Sequence, residues 1–470
     1  MKYHVHKAVV IGAGTMGASL AAHFANAHIP VTLLDIVPKD APVDDKKARN
    51  KIVQAGWDAC LKGKPANIMS SDLKTLVSLG NLEDDFNVIG EADLVIEAII
   101  ENLKIKQSLM ERIDAVRKPT GIIATNTSGI PIKDIATGRS DGFKQHFLGM
   151  HFFNPPRYLK LLEVIPTDDT LPEVVDFVSH FGEFRLGKGI VLCKDTPNFI
   201  GNRLGFGTGA FSLHYILENG YTVDEVDSIT GPLIGRPKTA TFRLIDLVGI
   251  DVWEHVGKNL APAIPYDELG QKYLASEKPA KLISTMVERG WLGNKTKIGF
   301  YKMERDADGK KVFLSLDLNT LEHTPSEKPR FDSVGKARKV ETLGEKLKIM
   351  LGEDDKAAQL VKALTYQSFQ YASSIIPEVA DTPKPLDDAQ RWGFMHEAGP
   401  FETWDMLGVA ETVEAMKAEG YDPAAWVEDM LKAGKDAFYQ YENGTLLHQV
   451  KDLVNNFLGW TPILTVLCCS

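Results

Sequence analysis

Residues 9–25, VVIGAGTMGASLAAHFA, constrain this chain more than any other stretch: an apolar run turns through glycines into an alanine-rich segment. Gly12, Gly14 and Gly17 stand in G-x-G-x-x-G order. In that spacing the first glycine allows a tight turn, the second lets backbone approach a pyrophosphate, and the third lets a helix pack against the strand it follows. The helix begins with free N–H groups and the positive end of its dipole facing the phosphates. Thr15 and Met16, at the helix start, belong to the same cradle. A glycine turn alone is weak evidence, but IPVTLLDI carries Asp35 next to its end, eighteen residues beyond Gly17. A carboxylate at that strand tip accepts hydrogen bonds from ribose hydroxyls and repels an additional phosphate, so NAD is expected rather than NADP.

The surrounding pattern agrees. HKAVVIGAG, IPVTLLDI, ADLVIEAII, TGIIATNTS, FLGMHFFN and LKLLEVI are apolar enough for strands buried on both faces, and several are separated by segments of helical spacing. Such alternation implies an α/β domain with a mostly parallel, Rossmann-like sheet over residues 1–195. KKARNKIVQAGWDACLKGKP interrupts it as a charged helix, giving a helical excursion at about 38–79. After Asp195 the texture becomes helical. The expected divisions are a helical domain at 196–303, a charged linker at 304–345, a second helical domain at 346–450 and a tail at 451–470. FRLIDLVGI at 242–250 aligns without gaps on FETWDMLGV at 401–409, which reads as a duplicated helical domain or as two unrelated helix ends.

Composition narrows the function classes. A formal charge of -10 argues against a general nucleic-acid binder. Cys60, Cys193, Cys468 and Cys469 form neither a disulfide framework nor a metal-type CxxC pair, so no metal is expected and a reducing compartment is favoured. No apolar run reaches the eighteen or so residues that a spanning helix needs. MKYHVHKAVVIGAG enters a strand at once, without the pattern of a signal peptide. The expectation is a soluble cytoplasmic protein with neither membrane nor nucleic-acid partners.

MHFFNPPRYLKLLEVI, at 150–165, raises the chemical question. His151 ends one apolar run and Glu163 lies within the next, where a carboxylate needs a partner because burying it alone is costly. Antiparallel strands joined by NPPRY would bring the two together. The pair then reads either as a core histidine with a salt-bridged glutamate or as an acid–base dyad whose carboxylate fixes the imidazole tautomer. Ser128 in TNTSG and Asn202 in TPNFIGNR add neutral donors suited to a substrate oxygen; otherwise they are a turn serine and a helix-start asparagine.

Taken in order, IGAGTMG, VIEAIIENLKIK, TNTSG, HFFNP, LLEVI, KDTPNFIGNR and GNKTKIGFY resemble the L-3-hydroxyacyl-CoA dehydrogenase family over roughly residues 5–303. The variant HFFNPPRYLKLLE and the second helical stretch are most similar to its long bacterial β-oxidation members. The resemblance implies NAD-dependent oxidation of an L-3-hydroxyacyl-CoA to the 3-ketoacyl-CoA. In it His151 is the general base, Glu163 orients His151, and Ser128 and Asn202 hold the reacting oxygen. Glu101, Lys106, Asn126, Asn154 and Lys295 match positions lining the cofactor site or cleft. Lys46, Lys47, Arg49, Lys51, Lys62 and Lys64 lie in the excursion that meets the coenzyme A nucleotide in this family.

Gly129 stands where the family usually has a second serine, and Asn198 where it usually has glycine. The resemblance further implies association with hydratase or thiolase partners, and either a homodimer or a monomer whose second helical domain replaces a partner's. The alternatives are a same-fold hydroxy-acid or sugar-acid dehydrogenase and a non-catalytic NAD-binding relative.

Overall fold

The computed structural model describes residues 3–306, 308–442, 445–452 and 457–462, with side chains described through residue 440. The chain divides into two compact units, residues 1–199 and 200–470.

The first unit is built on an eight-stranded sheet. Its strands are β1 (Ala8–Ile11), β2 (Val31–Asp35), β3 (Val77–Asn81), β4 (Leu94–Glu97), β5 (Ile122–Thr125), β6 (Phe147–Phe152), β7 (Leu161–Pro166) and β8 (Gly189–Leu192). They lie in the order β3-β2-β1-β4-β5-β6-β7-β8. Every pairing is parallel except β6 with β7. β1, β4, β5 and β6 are buried along their whole length, which is why their sequences are continuous apolar runs. Strand order reverses at β1, between β2 and β4, and in open α/β sheets ligands bind beyond the carboxyl ends of the strands at such a point.

The glycine turn leads from β1 into α1 (Thr15–Asn26). The excursion is α2 (Lys46–Arg49) followed by α3 (Lys51–Leu61). Val53, Trp57 and Cys60 recur at helical spacing on the buried face of α3. α3 approaches the glycine turn so closely that a Cβ at Gly56 would lie 1.9 Å from the Ala13 carbonyl oxygen. The segment after α3 is pinned to the end of α1: Asn26 Nδ2 donates to the Asn67 carbonyl at 2.8 Å, and the Met69 N–H donates to Asn26 Oδ1 at 2.9 Å. The excursion ends before Leu79, earlier than its sequence suggests, because 77–81 pair with β2 as edge strand β3. VSLGN alternates half-exposed and exposed residues before its buried end and lacks the apolar density that marks the central strands.

The second unit is mainly helical, with the buried helices Gly201–Glu218 and Lys356–Ser374 at its centre. The aligned nine-residue stretches carry the same hydrogen-bond arrangement. Asp246 accepts the Phe300 and Tyr301 N–H groups, and Tyr301 Oη donates to Asp227, which also accepts from the helix start at Thr241–Arg243. Asp405 accepts the Phe438 and Tyr439 N–H groups, and Tyr439 Oη donates to Asp387, which accepts from Phe401 and Glu402. Gly249 and Gly408 follow at φ 110° and 93°, in the region that favours glycine. Burial pushes Asp246 up to about 6 and Asp405 up to about 7, against the bonds that favour their charged forms.

The charged stretch expected as a linker is folded. Tyr301–Arg305, Lys311–Leu316 and His323–Pro325 form a three-stranded antiparallel sheet, and the helix Asp332–Ala337 buries Val334 and Ala337. Glu304, Arg305 and Lys311 sit on exposed positions of these strands, so the sequence reads as solvated. Among the described residues, no helix is long and apolar enough to cross a membrane. The tail expected at 451–470 lies partly outside the described residues, including Cys468 and Cys469; the backbone of Thr445–Asp452 and Phe457–Pro462 pairs as antiparallel strands.

Candidate active site

The glycine turn has the shape that its sequence spacing requires. Gly12 adopts φ 102°, and a Cβ there would lie 2.5 Å from the Ala98 carbonyl oxygen; a Cβ at Gly17 would lie 1.8 Å from the Gly12 carbonyl oxygen. Gly14 faces open space, with nothing within 4 Å of a Cβ built upon it. The turn is therefore closed on the protein side and open where a pyrophosphate would approach, which fits a dinucleotide. Asp35 stands at the tip of β2. It accepts the Ala13 N–H at 2.6 Å and the Ile36 N–H at 2.6 Å through different oxygens, so the carboxylate is oriented by the turn itself. Thr15 and Met16 open α1.

Beyond the ends of β4 and β5, polar groups form a connected cluster. Lys106 Nζ donates to Glu97 Oε1 at 2.7 Å, with both side chains almost wholly buried, and lies 3.6 Å from Glu101. Thr125 Oγ1 donates to the other Glu97 oxygen at 2.7 Å. Glu101 in turn accepts from Thr127 Oγ1 at 2.6 Å and from the Ser128 N–H at 2.8 Å. Asn126 Oδ1 accepts the Phe152 N–H at 2.9 Å, tying this cluster to the strand that bears His151. Glu97 was not singled out from sequence, although it sits in the apolar run VIEAII. A carboxylate in such a run needs a partner, and this requirement marks Glu97 as it marks Glu163.

His151 and Glu163 are directly opposite in the antiparallel register of β6 and β7. Nδ1 of His151 lies 2.6 Å from Glu163 Oε2, and both residues are buried. A carboxylate only accepts, so this contact assigns the Nδ1 proton to the imidazole and leaves the Nε2 lone pair available. Phe153 and Phe199 flank the ring at 4.7 and 5.6 Å between centroids. Asn198 adopts φ 61°. Glycine takes that conformation freely and asparagine better than most residues, which accounts for the exchange at this position. A Cβ at Gly129 would meet nothing within 4 Å, so the absence of the second serine leaves room rather than strain. Asn154 is exposed at the start of the β6–β7 connection.

The remaining residues singled out from sequence lie on the excursion or in the second unit. Lys46, Lys47, Lys51, Lys62 and Lys64 are exposed on the excursion. Arg49 differs from them, because its guanidinium grips Asp84 through two bonds of 2.7 Å and its charge is largely neutralised locally. Asn202 and Lys295 belong to the second unit. Asn202 lies in the first turn of its helix, beside Arg203, which is fully buried and bonded to Tyr371, Asp267 and both carboxylate oxygens of Glu378. Lys295 pairs with Asp251.

A doubly wound sheet with a dinucleotide cradle, followed by a helical unit, defines the class of an NAD-binding α/β protein. Residues 7–196 match the family model described as 3-hydroxyacyl-CoA dehydrogenase, NAD binding domain, and 199–303 match the one described as 3-hydroxyacyl-CoA dehydrogenase, C-terminal domain. A probable 3-hydroxyacyl-CoA dehydrogenase of Bacillus subtilis is 42% identical over 457 residues, covering 95% of this chain and 57% of that protein. A probable 3-hydroxyacyl-CoA dehydrogenase of Deinococcus radiodurans is 45% identical over 309 residues, covering 66% of this chain and 86% of that protein. The crystal structure of 3-hydroxybutyryl-CoA dehydrogenase from Escherichia coli superposes with a TM-score of 0.62 at 22% identity, covering 92% of this chain and 99% of that one, a likeness of fold. The chain belongs to the 3-hydroxyacyl-CoA dehydrogenase family and contains its NAD-binding domain. It spans little more than half the length of the Bacillus subtilis relative.

Proposed function

We propose that this chain catalyses NAD-dependent oxidation of an L-3-hydroxyacyl-CoA to the 3-ketoacyl-CoA, in the manner of fatty-acid β-oxidation. The observation that carries this reading is the buried His151–Glu163 pair, held opposite each other in the same unit as a dinucleotide cradle. In the oxidative direction Nε2 of His151 takes the proton of the 3-hydroxyl group. Glu163 keeps the proton on Nδ1 and stabilises the imidazolium that results. The glycine turn and Asp35 would hold NAD, which would supply the hydride acceptor for C3. Ser128, and Asn202 from the second unit, are assigned the neutral-donor role toward the substrate oxygen, where donors stabilise developing charge without themselves ionising. Asp35 and the turn from Gly12 to Gly17 hold the adenosine and pyrophosphate. Glu101, Lys106, Asn126, Asn154 and Lys295 are assigned to the cofactor site or cleft, with Lys106 held between Glu97 and Glu101.

The five exposed lysines of the excursion supply the cationic surface that coenzyme A phosphates require on a chain of net negative charge. Arg49, engaged with Asp84, contributes through structure rather than as a free cation. Reversing the charge at Lys46, Lys47, Lys62 and Lys64 should raise KM for acetoacetyl-CoA by about tenfold or more, equivalent to ~1.4 kcal/mol, with NADH affinity unchanged. Steady-state kinetics at two salt concentrations check this, because the wild-type KM should climb with salt and that of the variant should not. Unchanged KM after the reversal contradicts recognition of coenzyme A by this surface. The paired hydrogen-bond arrangements of the second unit support a duplicated helical domain, the second copy taking the place of a partner subunit's. Association with hydratase and thiolase activities follows from the same reading.

A further inference from the structure

The β6–β7 connection is tied to the excursion by side chains that the proposed chemistry does not use. Arg157 Nη1 donates to the Ala66 carbonyl at 2.6 Å and lies 3.5 Å from that of Ile68. Tyr158 Oη donates to the Ala66 carbonyl at 2.9 Å. The same connection is gripped from β8's side by Lys188, whose buried ammonium donates to the carbonyls of Pro156 and Leu159. Burial pulls this lysine down to about 8, and its bonds hold the turn where the register of His151 on Glu163 is set. Ala66 follows Lys62 and Lys64 by a few residues, in a segment that Asn26 pins to the end of α1.

We propose that Arg157 and Tyr158 are positioning residues that couple the nucleotide end of a coenzyme A thioester, docked on the excursion, to the geometry of the His151–Glu163 pair. The inference rests on the reading above that the excursion's lysines meet the coenzyme A phosphates. Remote binding contributes to turnover only when it is transmitted to the reacting centre. The excursion touches the catalytic hairpin through this pair of side chains, so removing them should disconnect binding from turnover without removing either.

The test compares acetoacetyl-CoA with acetoacetyl-pantetheine, which lacks the nucleotide, in the full chain with NADH. For the wild type, kcat should be about tenfold higher on the coenzyme A substrate. In Arg157→Ala, kcat on acetoacetyl-CoA should fall to the pantetheine level, with kcat on acetoacetyl-pantetheine and NADH affinity unchanged; Arg157→Lys should restore most of the difference. Tyr158→Phe, which removes only a hydroxyl group, should show a smaller loss of the same kind and serves if Arg157→Ala does not fold. An Arg157→Ala enzyme that keeps the full coenzyme A advantage overturns the coupling, as does one that loses kcat equally on both substrates, which marks a merely structural role. A wild type with equal kcat but lower KM for acetoacetyl-CoA overturns the coupling and leaves nucleotide binding intact. Equal kcat and equal KM overturn the nucleotide-binding reading and the coupling with it.

Discussion

Replacing His151 with alanine should lower turnover by roughly 100- to 10,000-fold, the usual contribution of a positioned general base, while NADH still binds as in the wild type. Imidazole is the group in the site whose lone pair is both free and oriented, since Glu163 occupies Nδ1 at 2.6 Å. The dinucleotide cradle is formed by β1, α1 and β2, and none of its hydrogen bonds involves His151. Stopped-flow turnover combined with NADH fluorescence titration separates the two effects. A thermal melt guards against the other explanation, because the variant removes a partner of a fully buried carboxylate, and such losses are destabilising. Near-normal turnover in a folded His151→Ala enzyme would reject His151 as the base.

Gly17→Ala should have the opposite signature, weakening cofactor binding and leaving His151 and Glu163 in place. A methyl group at this position would lie 1.8 Å from the Gly12 carbonyl oxygen, far inside contact distance, and the obstructing atom is backbone. The strand, the turn and α1 must separate to admit it. A displacement worth ~3 kcal/mol weakens NADH binding by about 100-fold. Isothermal titration with NADH measures this directly, and an affinity within twofold of the wild type would show that the turn does not hold the cofactor. Gly14→Ala is the informative control: open space surrounds that position in the protein alone, so folding should be unaffected while approach of the pyrophosphate is hindered.

The parts of this molecule legible in its sequence share one property: the residues that specify them are near one another along the chain or recur with a simple period. The glycine turn, Asp35 at the tip of β2 and the hairpin that pairs His151 with Glu163 are of this kind. β3 and β8 are short strands, and their mixed exposure hides them. GNKTKIGFYKM at 293–303 reads as a closing loop and strand, and Tyr301–Arg305 bears that strand; Lys311–Leu316 and His323–Pro325 lie within the charge-rich stretch and are mostly solvated, which hides them. The links from Arg157 to Ala66 and from Lys188 to Pro156 and Leu159 are invisible for a different reason. Their acceptors are backbone carbonyls, which every residue carries, so no residue type marks the receiving position. Arg49 shows the converse, a basic residue that reads as part of a phosphate-binding surface until the fold supplies Asp84.

We propose that one chain combines the dinucleotide cradle and the His151–Glu163 pair in acting on a coenzyme A thioester. Purified protein mixed with NADH and acetoacetyl-CoA, followed by absorbance at the nicotinamide band and repeated across longer 3-ketoacyl chains, tests it most directly. NADH should be consumed in proportion to added thioester, and free acetoacetate should not replace it. No consumption with any acyl chain length, or equal rates with the free acid, would contradict the assignment.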